Sequence, residues 1–513
     1  MKRSAQDLFG EAGTPRVVIV GAGFGGIAAA VKLKRAGVHT FTIYESSLGV
    51  GGTWWDNTYP GAEVDVGSHL YSFSFKSHDW TRTHAGQAEL QKYMEETVDE
   101  FGLRPHLRLG VEVVSCSWDD DRHVWTVQLD DGSQTWEDEC HVVVSSVGFL
   151  NVPRYPDWPG LDEFVGPKFH TARWEHQHDL TGKTVAVVGT GSSATQVVPA
   201  IQPIVGRLYV YQREPGWVMP KGERDFDTAE RRRFGRPWRR WQERLRLMLV
   251  MEKSIWGGNI FRVGSKANIE RRDFCLAYIE RTFEDRPELK EAVTPKYPYP
   301  GKRPVFASGY YPALKQENVE LVPRAVASVT ASAIVDTDGV AREVDVLVMA
   351  TGFQPANYLA RLRVVGRTGR TLQDYWADEP HAFLGITVPE FPNFFMLYGP
   401  GTNGGDILTM LEGQAEYVVR AVRRMRRERV TAIEVRPSFD RWWNRWLQSQ
   451  MRGMSWEVSN NYFKAPTGKI VTQWPLSCSV YRVLTKVLPG HLTDRTRRRT
   501  VEWGQAATRS SRS

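Results

Sequence analysis

The chain has 513 residues, 41% hydrophobic and 24% charged, a balance that supports packed cores and excludes a disordered or fibrous protein. A formal net charge of +7 admits nucleic acid, anionic lipid or phosphorylated cofactors, and phosphorylated cofactors with a solvated Arg-rich surface are the preferred reading. Cys116, Cys140, Cys275 and Cys478 are too scattered for a CxxC metal or redox motif. No apolar run approaches the ~18 residues of a membrane span and no signal-peptide core opens the chain, so a cytoplasmic protein without bound metal is expected.

Arg16–Val20 is a short β-branched apolar run, read as a buried strand. The turn GAGFGG, Gly21 to Gly26, follows at once, then an Ala-, Leu- and Lys-rich helix closed by Gly37, then a second strand over Thr40–Tyr44. A G-x-G-x-x-G pattern carries weight only in such a βαβ setting. There Gly21 permits the tight turn, Gly23 lets backbone approach a pyrophosphate, and Gly26 lets helix and strand pack closely, with the helix N-terminus facing the phosphates. Glu45, about 20 residues further on, is placed to accept from a ribose hydroxyl. Residues 49–75, dense in Gly, Pro and aromatics, predict an ordered loop rather than a helix. Its Trp54, Trp55, Tyr59 and Tyr71 can wall a planar ring, and its acids are Asp56, Glu63 and Asp65. An amphipathic helix over Gln87–Phe101, a meander through 106–144 and a buried strand Val142–Val147 returning to the first sheet complete this part.

Pro153, Pro156 and Pro159 form a stiff linker and a domain boundary. The connector Phe164 to Trp174, FVGPKFHTARW, leads to a second strand–turn–helix unit: Thr184–Val188, then GTGSSA from Gly189 to Ala194, a helix to 202 and a strand over Arg207–Gln212. Arg213 stands where the first unit has Glu45. A carboxylate repels a 2′-phosphate and a guanidinium binds it bidentately, so an unphosphorylated ribose is expected at the first turn and NADP(H) at the second; the alternative is that Arg213 solvates a strand end. Residues 222–292 read as a helical insertion, and its stretch RRRFGRPWRRWQERLRLMLV suits an ordinary subdomain, a lid or a membrane-surface helix. The Pro/Gly loop Tyr297–Tyr311 carries adjacent cations, Lys302 and Arg303, which signal either anion contact or a basic surface turn. Val344–Ala350 is a further buried strand, expected to rejoin the first domain together with residues 389–405 and a helix from Leu408 to Arg429.

With these residues in place, the chain resembles the class B flavoprotein monooxygenases and, within them, the type I Baeyer–Villiger monooxygenases. The family fingerprint F-x-G-x-x-x-H-x-x-x-W is met by Phe164, Gly166, His170 and Trp174; Glu175 stands where the family usually has Pro or Asp. Gly52-Thr53-Trp54, Tyr59-Pro60-Gly61 with Asp65, Ala350-Thr351-Gly352-Phe353, and Gly301-Lys302-Arg303-Pro304 match further family patterns. Asn461-Tyr462-Phe463 with Trp474-Pro475 resembles its C-terminal segment, with Tyr-Phe for the usual Trp-Tyr.

The resemblance implies an α/β fold of two Rossmann-like dinucleotide-binding domains, one for FAD and one for NADPH, with a helical insertion. The expected division is a flexible 1–15, an FAD domain over 16–152 and 341–490, an NADPH domain over 153–221 and 296–340, the insertion over 222–295, and a disordered basic tail over 491–513. It implies an oxidoreductase that uses a flavin C4a-peroxide to insert one oxygen of O2 beside a ketone carbonyl, giving an ester or lactone. A relative that oxygenates N or S in soft nucleophiles is the alternative. Cofactor contacts are expected at Gly21, Gly23, Phe24, Gly26, Glu45, Thr53, Trp54, Tyr71 and Val113 in the first domain, and at Asp65, which is implied to interact with the nicotinamide side. For NADPH they are expected at Gly189, Thr190, Gly191, Ser192, Ser193, Ala194, Thr195, Gln212, Arg213, Lys302 and Arg303. Arg303 is implied as the catalytic cation, held by Asp65, with Phe164, Gly166, His170 and Trp174 coupling the domains.

Overall fold

The protein's computed structural model describes residue 9 and residues 13–256 and 259–498. Two five-stranded parallel sheets organise it. In the first, Val17–Val20 lies at the centre between Phe41–Glu45 and Val142–Ser145, with Leu107–Leu109 and Phe394–Met396 outside them. The run VVIV is buried at every position because Val17 and Ile19 pack on the helical side while Val18 and Val20 face the strands of the meander, so both faces are covered, as a parallel sheet requires. Helix α1, Phe24–Arg35, buries its Ala-rich side against this sheet and packs along a long helix near the C-terminal end of the chain.

In the second sheet the order is Val319–Val322, Arg207–Tyr211, Thr184–Val188, Val346–Met349 and Lys168–His170. Helix α2, Ser192–Ile201, follows its central strand. Two expectations change here. Val346–Met349 joins this sheet, not the first, so the second domain extends through Met349 and the crossover follows it. The connector also opens as an edge strand, Lys168–His170, of the same sheet.

The meander is a separate antiparallel sheet of Glu112–Asp119, Val124–Asp130 and Thr135–Cys140, to which Arg363–Val365 adds in parallel. The loop expected over 49–75 contains one helical turn, Thr53–Asp56. The insertion is helical, its longest element α3 covering Pro237–Trp256. The long C-terminal helix is α4, Ile407–Glu428, whose Glu412 and Glu416 meet Lys32 of α1 at 3.3 and 3.0 Å.

Most of the flexible start expected for 1–15 and most of the basic tail expected for 491–513 lie outside the described residues, although Phe9 and Thr14, which are described, are buried. The described part of that tail is not loose. Asp494–Arg497 forms a strand antiparallel to Ala432–Val435, and Arg497 pairs with Asp120 at 2.6 Å. Among the described residues no helix is long and apolar enough to cross a membrane, and no cluster of His, Cys, Asp or Glu has metal-binding geometry.

Candidate active site

Both glycine-rich turns deliver a helix N-terminus with nothing of its own to satisfy it. The helices starting at Lys266 and Cys478 are capped by the Ser265 and Ser477 hydroxyls. In contrast, α1 and α2 start from Gly23 and Gly191, with no side-chain cap and no acid in the first turn. Those unpaired N–H groups and the helix dipole suit an anionic pyrophosphate. Gly26 serves packing: a Cβ there would lie 1.9 Å from the Gly21 carbonyl oxygen. Gly52 backs onto the first turn, its ideal Cβ 3.1 Å from Gly23 Cα.

Glu45 ends the second strand nearly buried. Its Oε2 accepts from the Ala22 N–H at 2.7 Å and its Oε1 from the Ser47 N–H at 2.8 Å. The carboxylate therefore braces the turn while still lining the cavity beside it. At the second turn, Thr190 Oγ1 donates to the Glu214 carbonyl at 3.2 Å. Arg213 is exposed and, among the described residues, has no ion-pair partner. Lys302 is ion-paired with Glu214, the residue after Arg213, so both cations meet at one end of Arg207–Tyr211. Gln212 is buried and its amide donates to the Ala292 carbonyl at 2.7 Å, so it braces the insertion. Ala194 and Thr195 are buried in α2, the Thr195 hydroxyl returning to the Ser192 carbonyl at 3.1 Å.

A cavity of about 540 Å³ runs between the two turns, within the usual range for a ligand site. Gly21, Gly23, Phe24, Glu45, Thr53, Trp54, Asp65, Tyr71, Val113, Ser192 and Arg303 all line it. Trp54 Nε1 donates to Tyr71 Oη at 3.1 Å, fixing two walls. At its centre Arg303 Nη2 donates to Asp65 Oδ2 at 3.0 Å. The Arg303 side chain is 44% exposed, yet what it faces is this cavity, deep in the molecule. Burial opposes its charge, but Asp65 and the nearby Tyr462 and Tyr398 hydroxyls hold the guanidinium pKa above its ordinary value. The other carboxylate oxygen, Asp65 Oδ1, is buried without a hydrogen-bond partner. Such an atom calls for a donor from a ligand.

Sequence reasoning missed several lining residues. Ser146 donates its hydroxyl to the Val20 and Gly21 carbonyls at 2.8 and 2.9 Å, holding the first turn. Tyr398 Oη donates to Asn403 Oδ1 at 2.7 Å, and Asn403 Nδ2 to Gln473 Oε1 at 2.5 Å, a polar strip along the cavity wall. Gln196, one turn into α2, was within reach of sequence spacing, since it shares a face with Ser192.

The two halves of the site grip each other through the loop carrying Asp65. Tyr59 Oη donates to Gln196 Oε1 at 2.9 Å, and Gln196 Nε2 to the Glu63 carbonyl at 2.9 Å. Glu63 also pairs with Lys221, a buried ammonium of the second domain, at 2.8 Å. The connector adds Arg173–Asp56 at 3.5 Å, and His176, two residues past its end, adds a hydrogen bond from Nε2 to Thr58 Oγ1 at 2.8 Å. Phe164 packs in the second domain's core, and a Cβ on Gly166 would lie 2.3 Å from the Asp345 carbonyl. His170 is buried, its Nδ1 accepting from the Ala172 N–H at 3.0 Å, and Trp174 packs edge-on against Phe169 at 5.0 Å. Where the chain crosses between domains, the Arg154 N–H donates to the Gly352 carbonyl and the Thr351 hydroxyl to the Arg154 carbonyl, at 2.8 and 2.5 Å.

Burial lowers the pKa of His69, His84 and His170 to about 4, below the usual ~6.5. Between these values the unfolded chain binds protons that the fold refuses, so stability rises with pH in that window. The midpoint of thermal unfolding should therefore fall as pH is lowered from 6.5 towards 4, and a flat profile would contradict neutral burial of these rings.

Two dinucleotide turns converging on one cavity with a central guanidinium define a pyridine-nucleotide-dependent oxidoreductase. A family model described as pyridine nucleotide-disulphide oxidoreductase matches residues 18–220. A Baeyer-Villiger monooxygenase of Streptomyces coelicolor is 38% identical over 92% of this chain and 91% of its own length. A cyclohexanone monooxygenase from Rhodococcus sp. Phi1 bound to NADP+ superposes with a TM-score of 0.84 at 31% identity, over 94% of this chain and 99% of that one. OTEMO in complex with FAD and NADP superposes at 0.83 with 25% identity, over 94% and 99%. The chain belongs to the Baeyer–Villiger monooxygenase family. All four cysteines are buried and unpaired, and burial raises every thiol pKa.

Proposed function

We propose that the protein is an FAD- and NADPH-dependent Baeyer–Villiger monooxygenase that inserts one oxygen atom of O2 beside a ketone carbonyl, giving an ester or lactone. The observation that carries this reading is the Arg303–Asp65 pair at 3.0 Å in a cavity shared by two nucleotide turns. The residues fit both cofactors. The uncapped N-terminus of α1, the glycine cradle and Glu45 hold FAD, with Phe24, Thr53, Trp54, Tyr71 and Val113 as walls. The uncapped α2 with Gly189 to Ser193 holds NADPH, and Arg213 and Lys302 take its 2′-phosphate.

Bound FAD supplies oxygen activation and bound NADPH supplies the hydride. The chain's own part is electrostatic and positional. Arg303 offers a fixed positive charge where the ketone oxygen gains negative charge as its carbon is attacked. A preorganised donor in a site screened from water is worth more there than in bulk solvent. Asp65 fixes the direction of that guanidinium and leaves Oδ1 to accept from the nicotinamide side. The walls of Trp54, Tyr71 and Tyr398 exclude water.

The test is NADPH consumption over a panel of linear, cyclic, aryl and steroidal ketones, with product mass checked for one added oxygen. Ester or lactone formation supports the reading; oxidation of sulfides or amines with every ketone inert would overturn it in favour of N- or S-oxygenation. Arg213→Ala should raise KM for NADPH about 10- to 100-fold, the worth of one charge-assisted hydrogen-bonded pair. KM for NADH should barely move, and equal effects on both coenzymes would remove Arg213 from the phosphate site.

A further inference from the structure

Helix α3 has two unlike faces. The inner face is docked: Arg244 Nη1 donates to the Ser72 carbonyl at 2.6 Å, and Leu247 lies against Gly67, so this face covers the loop that carries Asp65 and Tyr71. Glu252, further along, accepts from the Cys478 N–H at 2.9 Å. The outer face leaves Trp238, Trp241 and Leu249 48, 64 and 58% exposed, with Leu245 between them. Their spacing at 238, 241, 245 and 249 puts all four on one stripe of the helix.

The charges beside this stripe are strongly one-sided. Residues 228–256 hold nine Lys or Arg and three carboxylates. All three carboxylates are engaged: Glu230 with Arg224, Glu243 with Arg246 and Glu252 with the Cys478 backbone. Among the described residues, Arg232, Arg233, Arg236 and Arg239 have no carboxylate partner, and the Arg239 guanidinium lies 3.9 Å over the Trp238 ring, whereas Arg240 is half-buried and donates to the Phe234 and Gly235 carbonyls.

We propose that the outer face of α3 is a peripheral docking surface for an anionic lipid bilayer. Trp and Leu enter the headgroup boundary there, and the unpaired arginines meet lipid phosphates. Charge complementarity selects this occupant. A second copy placed face to face would oppose one arginine cluster with another, and the chain's own Arg-rich end, RTRRRT from Arg495, has the same sign. Docking would set the covered loop, and with it the cavity, a helix diameter from a phase in which apolar ketones concentrate.

The test is co-sedimentation of the full-length holoenzyme with vesicles of phosphatidylcholine alone and of phosphatidylcholine with phosphatidylglycerol. Binding is expected to the anionic vesicles, to weaken at high salt, and to be about tenfold weaker in W241S/L249S, which removes two insertion anchors. That variant should oxidise a water-soluble ketone at the normal rate, which separates lost docking from lost folding. An Arg232→Glu/Arg236→Glu variant, which keeps the apolar stripe, should lose binding as well. Wild-type protein left in the supernatant with anionic vesicles overturns the proposal. So does undiminished binding in W241S/L249S, or a concentration-dependent dimer that this variant abolishes in the absence of lipid.

Discussion

Arg303→Ala, purified with its flavin, is expected to lose ketone oxygenation by about 10²–10³-fold, the usual effect of deleting one preorganised donor to a developing oxyanion. The geometry predicts selectivity in that loss. Among the described residues the ion-pair partner of Arg303 is Asp65, which belongs to neither glycine turn. Flavin content should therefore stay normal and NADPH should still be consumed, with the reducing equivalents no longer appearing in ester. Arg303→Lys should recover only part of the activity, because an ammonium keeps the charge but not the planar fork facing a carboxylate. Product mass per NADPH consumed is the measurement. Normal ester yield from the alanine variant would remove Arg303 from the reaction.

The second large effect belongs to a residue with no side chain. In Gly26→Ala the new Cβ would sit 1.9 Å from the Gly21 carbonyl oxygen and 2.8 Å from Ser146 Oγ. The Gly21 carbonyl is backbone and cannot withdraw without opening the first turn, so a loss of about 3 kcal/mol is expected, at the upper end for overpacking. The protein should purify with little flavin and melt at lower temperature. Gly191→Ala is the control: it has an extended backbone, φ −81°, and nothing within 4 Å of an added Cβ. That variant should fold with unchanged melting temperature while binding NADPH more weakly, because the methyl lies beside the uncapped start of α2. A yellow, fully stable Gly26→Ala would contradict the packing argument.

What could be read in the sequence was what depends on neighbours along the chain. Gly21, Gly23 and Gly26 report a turn through local sterics, and the runs VVIV and TVAVV report two-sided burial through their lack of alternation. The contrast of Glu45 with Arg213 needed only the position after each strand. The residues that went astray depend on partners far away in sequence. Val346–Met349 is equally apolar on both faces, so its pattern suits either sheet, and its pairing with Thr184–Val188 and Lys168–His170 is a tertiary fact. Asp494–Arg497 reads as solvated charge until the edge of Ala432–Val435 and the Asp120 carboxylate are placed beside it. Lys221 and Gln196 gave no local signal of the partners they reach, Glu63 and Tyr59.

The guanidinium at the centre of the site comes from one nucleotide-binding unit and the carboxylate that aims it from the other. Their hydrogen bond of 3.0 Å therefore works as a ruler between the units. Such bonds weaken steeply beyond about 3.5 Å, so a hinge rotation that parts the two units slackens the ruler at once. Arg303 thus keeps the orientation seen here only while the two units stay at this spacing.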